Sequence, residues 1–326
     1  MQQRKRGELV PIGDALSGMC GPVKAIREAT PQALHHFTQA DQVDQLVSAS
    51  EADPDLGFMA RMLVLCSLPR TNPGDRIRYK RVNGPYTLYM TAGGGNKLPF
   101  GNFPRLLLAW ASTEAVKTQS RVLVLGDSLS EFMRELGIYH SSGGRGGVQT
   151  RLRNQMRRLF NAHVQLVYKD EHGEASVSSS VADSTAFWWN PKRPDERMLW
   201  ESKIELGEKF FNEIINHPVP IDMNTLASLK RCALGLDLYL WLTYRMFTLR
   251  APLRLTWGHL YRQFGLHPSK ANDHRTVQNF RHQALRELKK IKLAWPGLNY
   301  ATAKGVLILL PSTPVIAPSD QGQLVS

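Results

Sequence analysis

The sequence is poor in cysteine, and its cysteines form no recognisable site. The three that are present lie far apart and match neither a CxxC motif nor a Cys/His zinc spacing: Cys20, Cys66 and Cys232. This spacing argues against a structural zinc site and against a disulfide framework. Isolated thiols are typical of a reducing compartment, so we expect a cytoplasmic protein without a bound metal.

The sequence also lacks a long apolar run free of charge. No apolar stretch of signal-peptide length follows the basic start MQQRKRGELV, which argues against export. The richest apolar stretch, Leu234 to Leu249, contains Asp237 and Arg245. A membrane span would bury both charges in lipid, so this stretch predicts a core helix and not a membrane protein.

Negative charge is scarce relative to positive charge. The 326 residues contain 41 Lys and Arg against 28 Asp and Glu, a formal charge of +13, with 42% hydrophobic residues. The hydrophobic content is enough for a core in each of two domains. The positive excess favours a polyanionic partner, nucleic acid first and an anionic membrane surface second, although net charge can also serve solubility alone.

The chain divides into four regions. Residues 1–55 predict a mostly flexible N-terminal arm, and residues 312–326 predict a flexible tail. Between them we expect two α+β domains, residues 56–198 and 199–311. Both show the order helix, short helix, long basic helix and β-hairpin, which is the order of a winged helix-turn-helix domain. Only the architecture repeats, because the two halves share no evident sequence repeat.

The first domain contains the clearer turn and cap signals. Asn83-Gly84 lies between two alternating runs and predicts a tight hairpin turn with positive φ angles. The other predicted elements, in chain order, are a helix Phe103 to Val116, a strand Arg121 to Leu125, a helix capped by Asp127 or Ser128 and ending at Leu136, a glycine loop Gly143 to Gly147, a helix Val148 to Ala162, two strands HVQLVY and ASVSSSV, and a strand carrying Trp188 and Trp189.

The second domain follows a segment, Leu199 to Pro218, that we interpret as a strand-rich bridge. The elements predicted after it are a long helix Thr225 to Leu249, a short helix Thr256 to Phe264 stopped by Gly265, a long helix Ser269 to Ile291 capped by Ser269, Asn272 or Asp273, and two strands, LNYAT and VLILLP, on either side of Ala303 to Gly305.

The two long basic helices carry their positive charge on one side. In the first, the side that carries Leu152 is apolar, and the opposite side is cationic or amide-bearing at 100° per residue. The candidate DNA-binding residues there are Arg151, Arg153, Asn154, Arg157 and Arg158, with Thr150 and Asn161 on the same side. Arg pairs with guanine and Asn with adenine in a major groove that admits one helix, and the glycine loop would let backbone N–H groups approach a phosphate.

The second long helix has the same division. Its buried side is predicted to be Val277, Phe280, Ala284, Leu288 and Ile291. The candidate DNA-binding residues on its outer side are Arg275, Gln278, Asn279, His282, Arg286, Lys289 and Lys290. A single basic helix is often only a solvated surface, but two of them at the same place in the element order favour duplex DNA as the partner.

Several short motifs point to other functions. His259 and Arg262 match the HxxR of tyrosine recombinases, with Tyr300 downstream as a candidate nucleophile; a recombinase or nickase is therefore a remote alternative. His35-His36 has no nearby metal-ligating partner, and Gly93 to Lys97 lacks the Ser or Thr of a phosphate loop. Trp188-Trp189 could stack on bases, but we favour packing against a sheet.

Three long runs resemble plasmid-encoded RepA replication initiators of the broad-host-range, iteron-binding type. They are LPRTNPGDRIRYKRVNGPYTLYMTAG (Leu68 to Gly93), LPFGNFPRLLLAWASTEAVKTQSRVLVLGDSLSEFMRELGI (Leu98 to Ile138) and GGRGGVQTRLRNQMRRLFNAHVQLVY (Gly143 to Tyr168). The likeness continues more loosely to about Leu310, and TrfA-type initiators look more distant.

The resemblance implies an initiator that binds tandem origin repeats, the iterons, through two winged-helix domains. It also implies that the protein helps open A·T-rich DNA, recruits the host initiator and replicative helicase, exchanges between homodimer and monomer through the first domain, and represses its own promoter. The principal reading helix would be Asn272 to Lys292. No catalytic residue and no cofactor are implied, so we expect no enzyme. A winged-helix transcriptional repressor without a replication role and a protein-interaction scaffold remain alternatives.

Overall fold

The computed structural model describes residues 55–139, 146–189, 193–197 and 201–316. The described residues all lie in one compact unit that spans Val43–Ser326. The predicted N-terminal arm (apart from Asp55), most of the predicted glycine loop and the tail beyond residue 316 lie outside the described residues, as do Cys20 and His35-His36. Helices and strands alternate along the described chain, so the predicted α+β class is confirmed.

The helices and strands follow in chain order. The described helices are α1 Arg61–Leu65, α2 Phe103–Thr118, α3 Leu129–Glu135, α4 Val148–Phe160, α5 Glu208–Asn216, α6 Met223–Leu229, α7 Ala233–Thr248, α8 Trp257–Phe264 and α9 His274–Ala294. The described strands are β1 Leu56–Ala60, β2 Arg78–Asn83, β3 Tyr86–Thr91, β4 Val122–Val124, β5 His163–Lys169, β6 Glu174–Ser180, β7 Ala182–Ala186, β8 Lys203–Leu206, β9 Pro218–Asp222, β10 Leu253–Thr256, β11 Asn299–Ala303 and β12 Val306–Leu310. A 3-10 turn, Pro268–Lys270, lies between α8 and α9.

A predicted N-cap forms at Ser128 and another at Asp273, and a cap that the sequence analysis does not name forms at Thr256. The Ser128 hydroxyl accepts a hydrogen bond from the Glu131 backbone N–H (3.2 Å) at the start of α3. The Thr256 hydroxyl does the same for His259 at α8 (3.1 Å), and the Asp273 carboxylate for Thr276 at α9 (3.0 Å). Each bond satisfies one of the backbone donors that a helix start leaves open.

The described strands form four antiparallel sheets, and two of these sheets contain the hairpins that follow the long basic helices in the chain. The sheet orders are β1-β9, β2-β3-β5-β6, β4-β8-β7 and β10-β12-β11. After α9, β11 and β12 form a hairpin that β10 joins on the β12 side. After α4, β5 and β6 form a hairpin, but β4 pairs with β8 instead of joining it. The runs α2 to β6 and α7 to β12 therefore share their element order and differ in strand pairing.

The predicted hairpin between β2 and β3 forms, but its turn differs from the prediction. Asn83 pairs directly with Tyr86, so the two loop residues are Gly84 and Pro85. Gly84 has φ +57°, whereas Asn83 has no positive φ. Proline fixes φ near −65°, so only the first loop position can take a positive φ, and glycine occupies it.

The single long helix predicted from Thr225 to Leu249 is wrong, because the chain breaks into α6 and α7. The Lys230 carbonyl accepts a hydrogen bond from Asn102 Nδ2 (2.6 Å), and Lys230 Nζ donates to the Gly137 carbonyl (2.5 Å). Cys232 is extended, with φ −130° and ψ 110°. Contacts with α2 and with the end of α3 thus hold residues 230–232 out of the helix, although the apolar period continues across them.

Two smaller predictions also need correction. The segment 199–218 is not mainly strand, because Glu208–Asn216 forms helix α5, with Phe210 and Ile214 buried one turn apart. No strand carries the tryptophan pair, since β7 ends at Ala186. Trp189 is buried and packs on Phe132 of helix α3, with ring centroids 5.2 Å apart, whereas packing against a sheet was predicted, and Trp188 is 54% exposed.

Residues on either side of position 199 share one core. All of β1 is buried, and its strand partner is β9. Arg81 on β2 is 2% exposed and donates through Nη1 to the Gly265 carbonyl, at the end of α8, over 2.8 Å. The β2–β3 hairpin therefore holds the turn that leads into α9.

Candidate nucleic-acid interface

Helix α4 divides into a buried and an exposed side as the sequence predicts. Leu152, Met156 and Leu159 are at most 1% exposed. The predicted outward residues Arg151, Asn154 and Arg157 are exposed, while Arg153 and Arg158 are half-buried. Gln149 and Gln155 are also buried, which the sequence does not predict. The Gln155 side-chain oxygen accepts the Phe100 backbone N–H (2.8 Å), a contact 55 residues away.

Two of the α4 arginines lie against aromatic rings, one at the first residue of α2 and one just before it. The Arg151 guanidinium lies 5.8 Å from the centre of the Phe103 ring. The Arg158 guanidinium lies 5.2 Å from the Phe100 ring, and its Nη1 donates to the Leu98 carbonyl (3.3 Å). These contacts hold both side chains near the protein and restrict how far they can reach.

Arg153 and Arg157 form a pair of like charges on the same helix. Burial, and then the charge of Arg157, lowers the pKa of Arg153. Arg153 Nε is buried without a hydrogen-bond partner among the described residues. Residues 148–162 contain no Asp or Glu, so no carboxylate of this helix relieves the repulsion. A phosphate that contacts both guanidinium groups would accept hydrogen bonds from both and relieve their repulsion.

An open cleft lies beside the last turn of α4. Its volume is about 370 Å³, and its lining is Asn96, Arg157, Asn161, Thr185 and Phe187. The loop under it approaches α4 closely, because a Cβ atom on Gly93 would lie 2.1 Å from the Asn161 carbonyl oxygen. Glycine at this position is therefore required for the loop to support the cationic end of α4.

Helix α9 presents the larger exposed cationic side. Of the residues predicted to lie on its outer side, one is half-buried, Gln278. The others are exposed, namely Arg275, Asn279, His282, Arg286, Lys289 and Lys290. Phe280, Ala284, Leu288 and Ile291 are buried, whereas Val277 is only half-buried. Arg275 and Lys289 have no ion-pair partner among the described residues.

One acidic residue of α9 is buried, which the sequence does not predict. Glu287 is 1% exposed and accepts hydrogen bonds from Arg286 Nε (3.1 Å) and Lys290 Nζ (2.9 Å). Its carboxylate lies at the first turn of α7, where a Cβ on Gly235 would be 3.0 Å from Oε2. The amino end of a helix attracts negative charge, so Glu287 fastens α9 to α7. It also forms ion pairs with Arg286 and Lys290, two of the predicted DNA-binding cations.

Arg281 is a further cation of α9 that the sequence reasoning missed. It is half-buried, lies 6.0 Å from the centre of the Trp257 ring of α8, and donates through Nη1 to the Gln278 side-chain oxygen (3.4 Å). It follows Phe280 directly, and the helical period alone places it at the edge of the buried side. Its stacking on α8 orients Gln278, one of the predicted DNA-binding residues.

The residues that match a tyrosine recombinase lie on two different elements. His259 and Arg262 are on α8, the short helix predicted for them, and Tyr300 is on β11. Burial, then the charges of Arg262 and Arg245, lowers the pKa of His259. Burial raises the pKa of Tyr300, opposite to the activation that a nucleophilic tyrosine needs.

Other classes of site find no support in the described part of the chain. Within the described ranges, no cluster of three or more His, Cys, Asp or Glu could hold a metal ion. None of the described helices is long and apolar enough to cross a membrane. Lys97, at the end of the glycine run Gly93 to Gly95, pairs with Asp75 (2.6 Å).

The geometry thus defines an α+β protein that exposes two cationic helices, each followed by a β-hairpin. Residues 98–259, about half of the chain, match the family described as plasmid encoded RepA protein. The chain belongs to this family of plasmid replication initiators, and the resemblance seen in the sequence is confirmed.

Two solved structures of domains 2 and 3 of RctB are similar to the chain. Each has a TM-score of 0.46 and 14% sequence identity; they cover 74% and 76% of this chain and 95% and 94% of the RctB chains. No curated protein matches the chain.

Proposed function

We propose that this protein initiates plasmid replication by binding tandem repeats at the origin as duplex DNA, with α9 as the main reading helix and α4 as the second. The observation that carries the proposal is the exposed cationic side of α9. Arg275 and Lys289 lie on it with no ion-pair partner among the described residues, whereas Arg286 and Lys290 pair with Glu287. Family membership supports the replication role, and the geometry of α9 supports the DNA role.

Elements in the second half support a winged helix-turn-helix domain within residues 199–311. The order is α7, β10, α8, α9, β11 and β12, with β10 and β11 on either side of β12. In such a domain the third helix enters the major groove and the hairpin lies against the backbone. Lys304 lies at the tip of that hairpin beside Gly305, which has φ +79°, so the tip is suited to a phosphate contact.

A second such domain within residues 56–198 is supported by element order and by the α4 surface, although β4 pairs outside the hairpin sheet. Arg151 and Arg158 are held on phenylalanine rings, so we assign α4 mainly to phosphate and α9 mainly to base edges. Two helices in successive major grooves would cover on the order of 20 bp, since one helical turn is about 10.5 bp.

The later steps of initiation belong to the proposal by family membership. They are opening of adjacent A·T-rich DNA, recruitment of the host initiator and replicative helicase, exchange between homodimer and monomer, and repression of the protein's own promoter. A transcriptional repressor without a replication role would share every DNA contact proposed for α4 and α9, so replication must be tested directly.

The test selects duplexes from a randomised 40-bp library (about four helical turns) with the full-length protein and compares their binding with that of random duplex across a salt series. We expect a preference of roughly 10³-fold or more and a steep fall with salt. Arg275→Ala should reduce the preference, whereas Lys209→Ala, an exposed lysine on α5 outside both proposed DNA-binding surfaces, should leave it unchanged. Equal binding of selected and random duplex would overturn the proposal.

Replication is tested with the same protein supplied in trans to a plasmid that carries the selected sites as tandem repeats beside A·T-rich DNA. Maintenance of that plasmid supports initiation. Site-specific binding with promoter repression but without plasmid maintenance would establish the repressor in its place.

A further inference from the structure

A fully buried ion pair joins α2 to α7. Arg105 Nε donates to Asp237 Oδ1 over 2.6 Å, and Arg105 Nη2 donates to Asp237 Oδ2 over 2.8 Å. The two side chains are 1% and 5% exposed. The contact is bidentate, so it fixes the direction of both side chains as well as their distance.

The remaining donors of Arg105 are satisfied by backbone carbonyls. Nη1 donates to Gly101 (2.5 Å) and Pro69 (3.3 Å), and Nη2 also donates to Leu68 (2.7 Å). An arginine has five N–H donors, and all five have an acceptor here. A network satisfied in this way is compatible with one arrangement of its parts, because any slide of α2 along α7 would break several bonds at once.

The ion pair lies between the two helices on which the proposed reading helices rest. Helix α4 packs on α2, and helix α9 packs on α7. Arg151 of α4 stacks on Phe103 of α2, and Glu287 of α9 lies against Gly235 of α7. A continuous path of contacts therefore runs from α4 through Arg105 and Asp237 to α9.

Stability alone does not account for these charges. Asp237 interrupts an otherwise apolar side of α7 that includes Leu236, Leu240 and Trp241, and apolar residues of similar volume often replace a buried ion pair without loss of stability. The best-attested use of such a buried polar contact is to set the register between packed elements. Apolar contacts are non-directional and tolerate small slides that a bidentate pair does not.

We propose that Arg105 and Asp237 are positioning residues that set the spacing between α4 and α9, and hence the spacing between the two halves of the DNA site. The inference rests on the proposed function, in which both helices read one duplex. Each base pair inserted between the half-sites turns one of them by about 34° and moves it by about 3.4 Å. A rigid connection should therefore select a single spacing.

The experiment compares the spacing of half-sites that the wild-type protein and Arg105→Met/Asp237→Leu select from one randomised 40-bp duplex library (about four helical turns). We expect two half-site motifs at one fixed separation for the wild type. The double variant should select the same two motifs with separations spread over roughly two base pairs or more. A loss of stability alone would lower the active fraction equally at all spacings, so it would not broaden the distribution.

Two further variants complete the test. Lys97→Met/Asp75→Leu removes an exposed ion pair and should retain the wild-type spacing. Arg105→Lys keeps the charge but loses the two-pronged contact, so it should broaden the distribution less than the double variant, and it carries the test if the double variant does not fold.

The outcomes separate this inference from the proposed function. A fixed spacing in the wild type and in both Arg105 variants would overturn the positioning role and leave the proposed function standing. A single motif without a second half-site would also overturn the positioning role. Absence of any motif would overturn the proposed function itself.

Discussion

Lys290 Nζ lies 2.9 Å from Glu287 Oε2, and Glu287 is 1% exposed. The pair lies within α9, three residues apart, at the point where α9 meets the first turn of α7. One of the cations predicted to contact DNA therefore also neutralises a carboxylate inside the protein. The neighbouring Lys289 is exposed and has no such partner among the described residues.

This difference predicts that two adjacent lysines contribute unequally to stability. Lys290→Met should lower the free energy of unfolding by about 1 kcal/mol or more, because it leaves a buried carboxylate with one cation fewer. Lys289→Met should change it by less than about 0.5 kcal/mol. Urea unfolding midpoints of the two variants measure the difference, and Lys290→Met/Glu287→Leu should recover most of the loss. Equal midpoints for the two single variants would show that Arg286 alone is a sufficient partner for Glu287.

The two ends of α9 should differ in the kind of DNA contact they make. Arg275 lies in the first turn, where a recognition helix meets base edges, so Arg275→Ala should reduce discrimination between selected and random duplex by roughly 1–3 kcal/mol. Lys289 lies near the other end, so Lys289→Ala should weaken binding to both duplexes equally. It should also reduce the slope of log affinity against log salt by about 0.9. The reverse pattern would exchange the two roles.

The sequence predicts the features that depend on the helical period and on local side-chain chemistry. The outward side of α9 follows from the helical period, as do its buried Phe280 and Leu288. Side-chain chemistry limits the caps to two candidates for α3 and three for α9, and Ser128 and Asp273 are among them. These features depend on residues within one or two turns of each other, so no knowledge of the rest of the chain is needed to predict them.

The sequence does not predict what depends on distant partners. Glu287 has the character of a surface residue in a basic helix, and its burial depends on Gly235, about fifty positions earlier. Arg105 lies in an apolar helix, and its carboxylate partner is 132 residues away. The pairing of β4 with β8 is of the same kind. The helical period predicts on which side of its helix a residue lies. Which distant residues pack against that side is determined by the fold.

Stability in mild acid should depend on His217, at the end of α5. Burial, and then the charge of Arg61, lowers the pKa of His217 from 6.5 to about 4. The unfolded chain therefore binds more protons between pH 6.5 and pH 4, and stability falls as pH falls through that window, with a slope of at most about 1.4 kcal/mol per pH unit. Burial raises the pKa of the nearby Glu213 and gives a change of opposite sign, so His217 must be isolated by comparison.

The comparison uses His217→Gln, which keeps a polar side chain and removes the titration. The difference in unfolding free energy between wild type and variant should vary with pH between about 4 and 6.5 and be constant above pH 7. A difference that is flat across the whole range would show that His217 keeps an ordinary pKa in the folded protein.

The contacts across position 199 predict that residues 199–326 do not fold well alone. Removal of residues 1–198 would take away β1, the strand partner of β9, and would leave Asp237 buried without Arg105. An uncompensated buried charge costs about 3–5 kcal/mol, a large part of the stability of a domain. We expect the fragment to unfold at a much lower urea concentration than the full chain, or without a cooperative transition.

Asp237→Leu should raise the unfolding midpoint of the fragment, because it removes the unpaired buried charge. The same change should lower the midpoint of the full chain, where it leaves Arg105 without its carboxylate partner. A fragment with the midpoint of the full chain would instead establish residues 199–311 as an independent domain and would show that the contacts with β1 and Arg105 are energetically unimportant to it.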